Sequence, residues 1–373
     1  MSGFNKLGLK KDILEIIELA GFCEPTDVQS KIIPLALKKK NVVFTSRTGS
    51  GKTLAYLLGH LSKINKKLAA QMIVLVPTRE LAIQVGKELK KICDLLSLNV
   101  GVVYGGRDAH GDMKTLNKKN HIIVGTPGRL ILHINDKAVK VGDVNYVVYD
   151  ESDQMFDNGF YDDCAYLKKR ISKDAQIILS SATITEKVTD FMKKEIKDYE
   201  LLQIGELIPK SITQEKVYCE QLEKNSLLIG FFEKKKYKRA LIFTNRKDKS
   251  KHIAQFLAEH KLKAASINSD LEQKERLEHL NLFKEGKIKI LVATDVAARG
   301  LHIENVDIVV NYDAPTREEF YVHRIGRTGR VENTGYAITL ICPEDVDRFY
   351  NIEFEYEMDV KEIKKEEFLP KEE

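Results

Sequence analysis

The feature that most constrains this fold is a repeated alternation of short β-branched strands with amphipathic helices. "NVVFT" (Asn41–Thr45) runs through a glycine-rich turn into a helical stretch from Lys52. "MIVLV" (Met72–Val76) precedes a helical pattern over 79–96, and "HIIVG" (His121–Gly125) precedes "RLILHIN". "YVVYD" and "QIILS" follow. Buried strands bounded by turns and alternating with helices predict a parallel sheet covered on both faces. The alternation pauses at "LLQIGELIPKSITQE" (Leu201–Glu215), which mixes turn formers and has no helical period. It resumes with "RALIFT", "AASIN", "IKILVAT" and "VDIVVNY". The pattern predicts two α/β domains, at 1–203 and 213–360, joined by a linker at 204–212. The segment 361–373 reads as a charged tail that frays.

Bulk properties narrow the class. A chain of 373 residues is too long for one ordinary core and comfortable for two. With 43% hydrophobic and 31% charged residues, it suits a soluble globular protein with a densely charged surface. No apolar run reaches the roughly 18 residues of a membrane span. The N-terminal apolar residues are spaced as on an amphipathic helix rather than as in a signal peptide. The expectation is a cytoplasmic monomer with no membrane partner. The five cysteines are scattered, which argues against a disulfide framework or a zinc site and reads as core or incidental thiols. A net charge of +5 permits a polyanionic partner without requiring one.

The most specific motif is "SRTGSGKT" (Ser46–Thr53), lying between a strand and a helix. Glycines let backbone N–H groups turn inward around phosphate oxygens, and the helix N-terminus adds partial positive charge. Lys52 can reach the outer phosphates and the Thr53 hydroxyl can ligate Mg²⁺. Ser46 stands where the general pattern has its first Gly. The bland alternative is a glycine-rich helix cap, and Gly-Lys-Thr placed after a strand disfavours it. "VVYDESDQ" (Val147–Gln154) offers a second site. A carboxylate at a strand end, Asp150, can hold the Mg²⁺ shell, and the adjacent Glu151 can polarise the attacking water. A helix N-cap at Asp150, Ser152 or Asp153 is the structural alternative. It accounts for one acid but not the pair, and one residue can do both.

"DESD" resembles the signature of the DEAD-box RNA helicases of superfamily 2, with Ser152 in the alanine position. Further motifs carry the resemblance in order. "GFCEPTDVQ" (Gly21–Gln29), with Phe4 upstream, resembles the adenine-reading Q motif. "PTRELA" (Pro77–Ala82), "GG" (Gly105–Gly106) and "TPGR" (Thr126–Arg129) resemble first-domain RNA contacts, and "SAT" (Ser181–Thr183) the coupling motif. Gln273, Arg276, "ATDVAARG" (Ala293–Gly300) and "HRIGRTGR" (His323–Arg330) follow in the second half.

The resemblance implies two RecA-like domains, each a mainly parallel sheet flanked by helices, around an ATP/RNA cleft. It implies ATP and Mg²⁺ as cofactors and RNA as partner. Gln29 would read the adenine edge, helped by Thr26 and the ring of Phe4 or Phe22. Ser46, Arg47, Thr48, Gly49, Ser50, Gly51, Lys52 and Thr53 would hold the phosphates. Asp150 would bind Mg²⁺ through water and Glu151 would act on the attacking water. Ser181, Ala182 and Thr183 would couple that site to RNA. Arg327 and Arg330 would serve as arginine fingers, with His323 bonding towards the first domain and Asp295 helping to join the two. Thr78, Arg79, Gly106, Thr126, Gly128, Arg129, Gln273, Arg276 and Thr294 would contact RNA. Hydroxyls, backbone N–H groups and a few guanidinium groups suit phosphates and 2′-hydroxyls rather than base edges, so binding should ignore sequence and weaken with salt.

Three departures stand out. Ser152 for alanine adds one oxygen and removes neither acid, so tolerance is expected. His302 stands where the family has an Asp that contacts the ATP ribose. An imidazole cannot replace a carboxylate taking two hydroxyls, and weaker nucleotide binding is expected. "INSD" (Ile267–Asp270) carries Asn268 and Ser269 where the family has His-Gly, either restricting a loop near the RNA or drifting with the loop preserved. Competing functions are a non-catalytic RNA clamp and a DNA helicase, separable by ATP turnover with RNA, with DNA and with neither. Nothing in the sequence names the biological RNA, so targeting falls to the core surface or a protein partner.

Overall fold

The computed structural model describes residues 3–47, 49–106, 109–206, 208–268, 270–298, 303, 306–329 and 334–369. The chain divides into two compact units, 1–206 and 207–373.

The first unit holds strands β1 (Asn41–Thr45), β2 (Met72–Leu75), β3 (Val100–Val103), β4 (Ile122–Gly125), β5 (Tyr146–Tyr149), β6 (Gln176–Ser181) and β7 (Tyr199–Gln203). Its helices are α1 (Lys11–Leu19), α2 (Asp27–Leu37), α3 (Lys52–Leu61), α4 (Arg79–Cys93), α5 (Ala109–Leu116), α6 (Pro127–Asn135), α7 (Ser152–Asp157), α8 (Tyr161–Arg170) and α9 (Glu186–Glu195). The second unit holds β8 (Ile212–Tyr218), β9 (Ala240–Thr244), β10 (Ala264–Ile267), β11 (Ile290–Thr294), β12 (Ile308–Asn311), β13 (Gly335–Ile341) and β14 (Lys361–Glu362). Its helices are α10 (Lys224–Lys234), α11 (Lys247–Glu259), α12 (Gln273–Lys284), α13 (Asp295–Ala298), α14 (Glu318–Ile325) and α15 (Val346–Glu355).

Each unit is one seven-stranded sheet, ordered β3-β4-β2-β5-β6-β1-β7 and β10-β11-β9-β12-β13-β8-β14. Every pairing is parallel. Counted from the first strand of each unit, the two orders are identical, so one topology is used twice. Successive residues of a strand serve opposite faces: Val42 and Phe44 enter one core cluster, while Val43 enters the other. Leu241 and Phe243 are likewise divided from Ala240 and Ile242. Cover on both faces explains why the strands read as continuous apolar runs rather than alternating ones.

The cysteines are all free, four of them buried, and burial pushes the Cys93 thiol up to about 12. No helix among the described residues is long and apolar enough to cross a membrane.

The tail departs from expectation over 361–369. Lys361 and Glu362 pair with Glu215 and Lys216 of β8, and Ile363 and Phe368 are buried. The Phe368 ring meets Phe231 at 5.3 Å, and its backbone carbonyl occupies the space where a Cβ on Gly230 would sit. Charged composition hid this docking because two apolar anchors five residues apart make neither a helical nor a strand period.

Candidate active site

The predicted motifs of the first unit gather at the C-terminal ends of its strands, the usual ligand edge of a parallel sheet. The phosphate loop leaves β1, the acid pair leaves β5 and "SAT" ends β6, three adjacent strands. The RNA-type motifs leave β2, β3 and β4, adjacent strands on the other side of β5. One edge therefore carries both sets, sorted by strand order.

The loop Ser46–Gly51 is tied at both ends. Ser46 N donates to Ser181 O at 3.1 Å and Ser50 Oγ lies 3.1 Å from Ser46 Oγ. Gly51 caps α3 with a φ of 87°, a left-handed conformation that favours glycine. A Cβ there would also lie 2.5 Å from the Gln29 amide. Lys52 opens α3 and is buried, its Nζ donating to Ser46 O at 3.3 Å. Gly49 and Arg47 belong to the same turn, and Thr53 follows in the first turn of α3. Thr48 lies outside the described residues.

The Q-motif residues brace this loop. Thr26 N donates to Gln29 Oε1 at 2.9 Å, and Gln29 N donates back to Thr26 Oγ1 at 3.3 Å, a capping box that starts α2. Thr26 Oγ1 donates to Ser50 O at 2.8 Å and Gln29 Nε2 to Gly51 O at 3.3 Å. An amide has two donors and two acceptor positions, so Gln29 keeps one of each for a base. Of the two candidate rings, Phe4 has no exposed surface and lies in the core, while Phe22 is 40% exposed.

Asp150 and Glu151 are both buried. Asp150 Oδ1 accepts from the Ser180 hydroxyl and from Glu151 N at 3.1 Å, and Oδ2 accepts from the Tyr56 hydroxyl at 3.3 Å. Burial, and next the Asp150 charge, hold the Tyr56 phenol well above its ordinary pKa, so it stays a donor. Thr53 lies one helical turn before Tyr56 on α3. Glu151 adopts φ 53° and ψ 51°, rare for a side-chain-bearing residue, and turns the chain from β5 into α7 within one position.

The capping alternative is resolved against Ser152. Glu151 is the N-cap residue with no side-chain cap bond, and Ser152 is the first helical residue. The Ser152 hydroxyl is buried with no hydrogen-bond partner among the described residues. Asp153 instead links to the coupling motif. Its Oδ2 accepts from Thr183 N at 3.1 Å and Thr183 Oγ1 at 2.9 Å, and its N–H donates to Ser181 Oγ at 3.3 Å. Ser181 Oγ donates to Thr183 O at 2.7 Å, with Ala182 half-buried between them.

The RNA-type motifs touch one another. Thr78 Oγ1 caps α4, accepting from Leu81 N at 3.2 Å. The Arg79 guanidinium lies against Gly106, where a Cβ would come within 2.0 Å of it. Gly105 N donates to Thr126 Oγ1 at 3.4 Å, and Gly128 sits in the first turn of α6. Arg129 is more enclosed than an RNA contact needs: its Nε meets the fully buried Asp112 at 2.6 Å, and His133 Nε2 reaches the same oxygen at 2.9 Å.

In the second unit, Asp295 is engaged within its own unit. Arg324, 1% exposed, clamps it with Nε and Nη2 at 2.7 Å each. Arg324 also donates to Asp313 O at 2.7 Å and Asn245 Oδ1 at 2.8 Å. One guanidinium thereby joins the segments after β9, β11 and β12. Arg276 Nη2 donates to Ala297 O at 2.7 Å, beside Thr294 at the end of β11. Arg327 is buried, its Nε donating to the His323 carbonyl at 3.2 Å. Two residues on, the loop is held by Ser211, whose hydroxyl donates to Gly329 O at 3.0 Å. Gly329 has a φ of 69°, and a Cβ there would meet Ile212 at 2.4 Å.

In "INSD", Asn268 is buried, accepts from Asp270 N at 3.0 Å and donates to Ser250 Oγ at 3.1 Å. Ser269, His302, Arg330 and the Gln273 side chain lie outside the described residues.

Sequence reasoning missed Tyr56, Ser180, Arg324 and Ser211, and treated Asp153 only as a cap. Tyr56 had a signal, lying three positions after Thr53 on one helix face. Arg324 sits inside a quoted motif without a role. Ser180 and Ser211 had none, because a single hydroxyl gains meaning only from its neighbour in space.

Comparison with known proteins covers both units. The DEAD/DEAH box helicase model matches residues 26–191, and the helicase conserved C-terminal domain matches 223–332. The DEAD-box ATP-dependent RNA helicase CshA of Geobacillus kaustophilus is 39% identical over 356 residues, 95% of this chain and 76% of that protein. A probable ATP-dependent RNA helicase of Methanocaldococcus jannaschii is 36% identical over 362 residues, covering 97% and 98%. The structure of Saccharomyces cerevisiae Dbp5 bound to RNA and ADP BeF3 aligns with a TM-score of 0.87 at 28% identity, covering 98% of this chain and 96% of that one.

Proposed function

The chain belongs to the DEAD-box family of ATP-dependent RNA helicases, and from that premise we infer which of its residues run the cycle. Its fold is a pair of RecA-like domains and its activity is RNA-stimulated ATP hydrolysis coupled to RNA remodelling. Binding that ignores sequence, short-duplex unwinding or displacement of bound protein, and work as a cytoplasmic monomer targeted by the core surface or a protein partner, are the finer reading.

Lys52 neutralises the outer phosphates of ATP and the loop N–H groups cradle them. Gln29 and Thr26 connect base recognition to that loop, since each bonds the backbone of Ser50 or Gly51. Phe22 supplies the stacking ring. Mg²⁺ fits the donor set of Asp150 and Thr53, hard oxygen ligands from the end of β5 and the start of α3, and when bound it would neutralise phosphate charge. Tyr56 and Ser180 fix the Asp150 carboxylate, and Glu151 polarises the attacking water. The Asp153–Thr183–Ser181 bonds join the acid strand to the coupling motif, so movement at one reaches the other. Arg327 and Arg330 are assigned to the γ-phosphate as it leaves. Arg324 is assigned a positioning role, since it is spent on Asp295. Thr78, Arg79, Gly106, Thr126, Gly128, Gln273, Arg276 and Thr294 are assigned to the RNA backbone, with Arg129 positioned through Asp112.

The observation that carries the reading is the Asp150 carboxylate, buried and held by two hydroxyl donors at the strand end beside the phosphate loop. The test is ATP turnover with RNA, with DNA and with neither. RNA should stimulate more than DNA, and Lys52→Ala and Glu151→Gln should each abolish the stimulated rate. Stimulated turnover that survives either substitution overturns the residue assignment.

A further inference from the structure

We propose that the outer face of α15 is a docking surface for a basic amphipathic segment of another protein. Val346, Tyr350 and Phe354, spaced four residues apart, are 38%, 63% and 76% exposed. The opposite side of the same helix is spent normally, with Phe349 and Ile352 buried in the core. Leu222, 94% exposed, lies in the segment that leads into α10. Its neighbour Gln221 accepts from Cys342 Sγ at 3.4 Å, and Lys224 lies 3.7 Å from Asp345, the residue that caps α15. Four large apolar side chains along one helix face and its approach are more than the single exposed residues that any surface carries.

Charge chooses the occupant. Glu220, Glu344, Asp347, Glu355 and Glu357 lie on α15 or in the segments next to it, are exposed, and make no ion pair among the described residues. The cations on these elements are used elsewhere: Lys216 on Glu353 at 2.8 Å, Lys224 on Asp313 at 3.6 Å and Arg348 on Asp345 at 2.8 Å. Unpaired carboxylates on the same segments as an apolar stripe repel RNA phosphates and anionic lipid, although the chain as a whole carries +5. It also disfavours a second copy across a twofold axis, because the same patch on both partners would oppose carboxylate to carboxylate. A helix with apolar anchors on one face and Lys or Arg flanking them satisfies both features.

The probe is an 18-residue Leu/Lys helix with leucines on one face, titrated into the full chain by fluorescence anisotropy. The controls are the same composition with the leucines dispersed, and a Leu/Glu version. Binding with a Kd of about 1–100 μM is expected for the first peptide and at least about tenfold weaker binding for both controls. Tyr350→Ser/Phe354→Ser and Asp347→Lys/Glu355→Lys should each weaken it at least about tenfold, and all four positions are exposed. Hydrogen exchange on the unsubstituted chain should show peptide-dependent protection confined to 344–357 and the 220–222 turn. Equal binding by the dispersed peptide or by both double variants overturns the proposal. Protection elsewhere, or self-association abolished by Tyr350→Ser/Phe354→Ser, does the same.

Discussion

The two units share a strand order, and each carries a lysine at the start of the helix after its first strand and an aspartate just past its fifth strand. In the first unit the helix after the opening strand begins at Lys52, and Asp150 follows the fifth strand. In the second the corresponding helix begins at Lys224, and Asp313 follows the fifth strand by one residue. Their fates differ. Lys224 is fully buried, 3.6 Å from Asp313 and 3.7 Å from Asp345, and Asp313 also takes Lys249 at 2.7 Å and Asn245 N at 3.0 Å. Among the described residues Lys52 bonds only the Ser46 carbonyl, and Asp150 is held by neutral hydroxyls. The connecting segment explains the divergence. "SRTGSG" has the glycines that let backbone N–H groups turn towards a phosphate, whereas "CEQLE" has no glycine and its lysine folds back on acids. One edge became a nucleotide site by leaving its charges uncompensated; the other became a structural knot by compensating them.

Substitution can break that contrast. Lys52→Ala should lower the RNA-stimulated kcat by about 10³-fold or more, equivalent to about 4 kcal/mol of barrier, with the unfolding midpoint close to the parent. Lys224→Met should do the reverse. Leaving Asp313 and Asp345 buried with one cation fewer costs about 3 kcal/mol, read as a shift in the urea transition of the second unit. An unshifted transition would mean that the knot is not structural. Ser211→Ala removes the hydroxyl that holds the Gly329 carbonyl and with it the loop bearing Arg327. The expected effect is a three- to tenfold fall in kcat, about 1 kcal/mol, with KM for ATP unchanged and recovery in Ser211→Thr. A purely structural role would move the melting temperature and leave kcat alone. The smallest effect belongs to Ser152→Ala, which removes a buried hydroxyl without a partner and should stabilise the first unit by about 1 kcal/mol, with ATP turnover unchanged.

Much of this protein was legible in one dimension. Continuous β-branched runs followed by helical periods determined two parallel sheets, because burial on both faces leaves no room for polar alternation. The break at 201–215 marked where one unit gives way to the next. The order of the motifs determined the family and the chemistry, since Gly-Lys-Thr after a strand and an acid pair at another strand end depend on local backbone geometry alone. Tertiary structure decided what depends on neighbours distant in the chain. It buried Phe4 and left Phe22 exposed, because exposure is a property of packing. It denied Ser152 a capping role and passed the link with Thr183 to Asp153. It docked Ile363 and Phe368 where composition suggested a loose tail. It spent Arg324 on Asp295, and it separated Lys52, which turns to the nearby Ser46 carbonyl, from Lys224, whose acidic partners lie some 90 residues or more away along the chain. A hydrogen bond or an ion pair is fixed by distances of a few ångströms, and sequence separation carries no information about those until the sheet has brought the strand ends together.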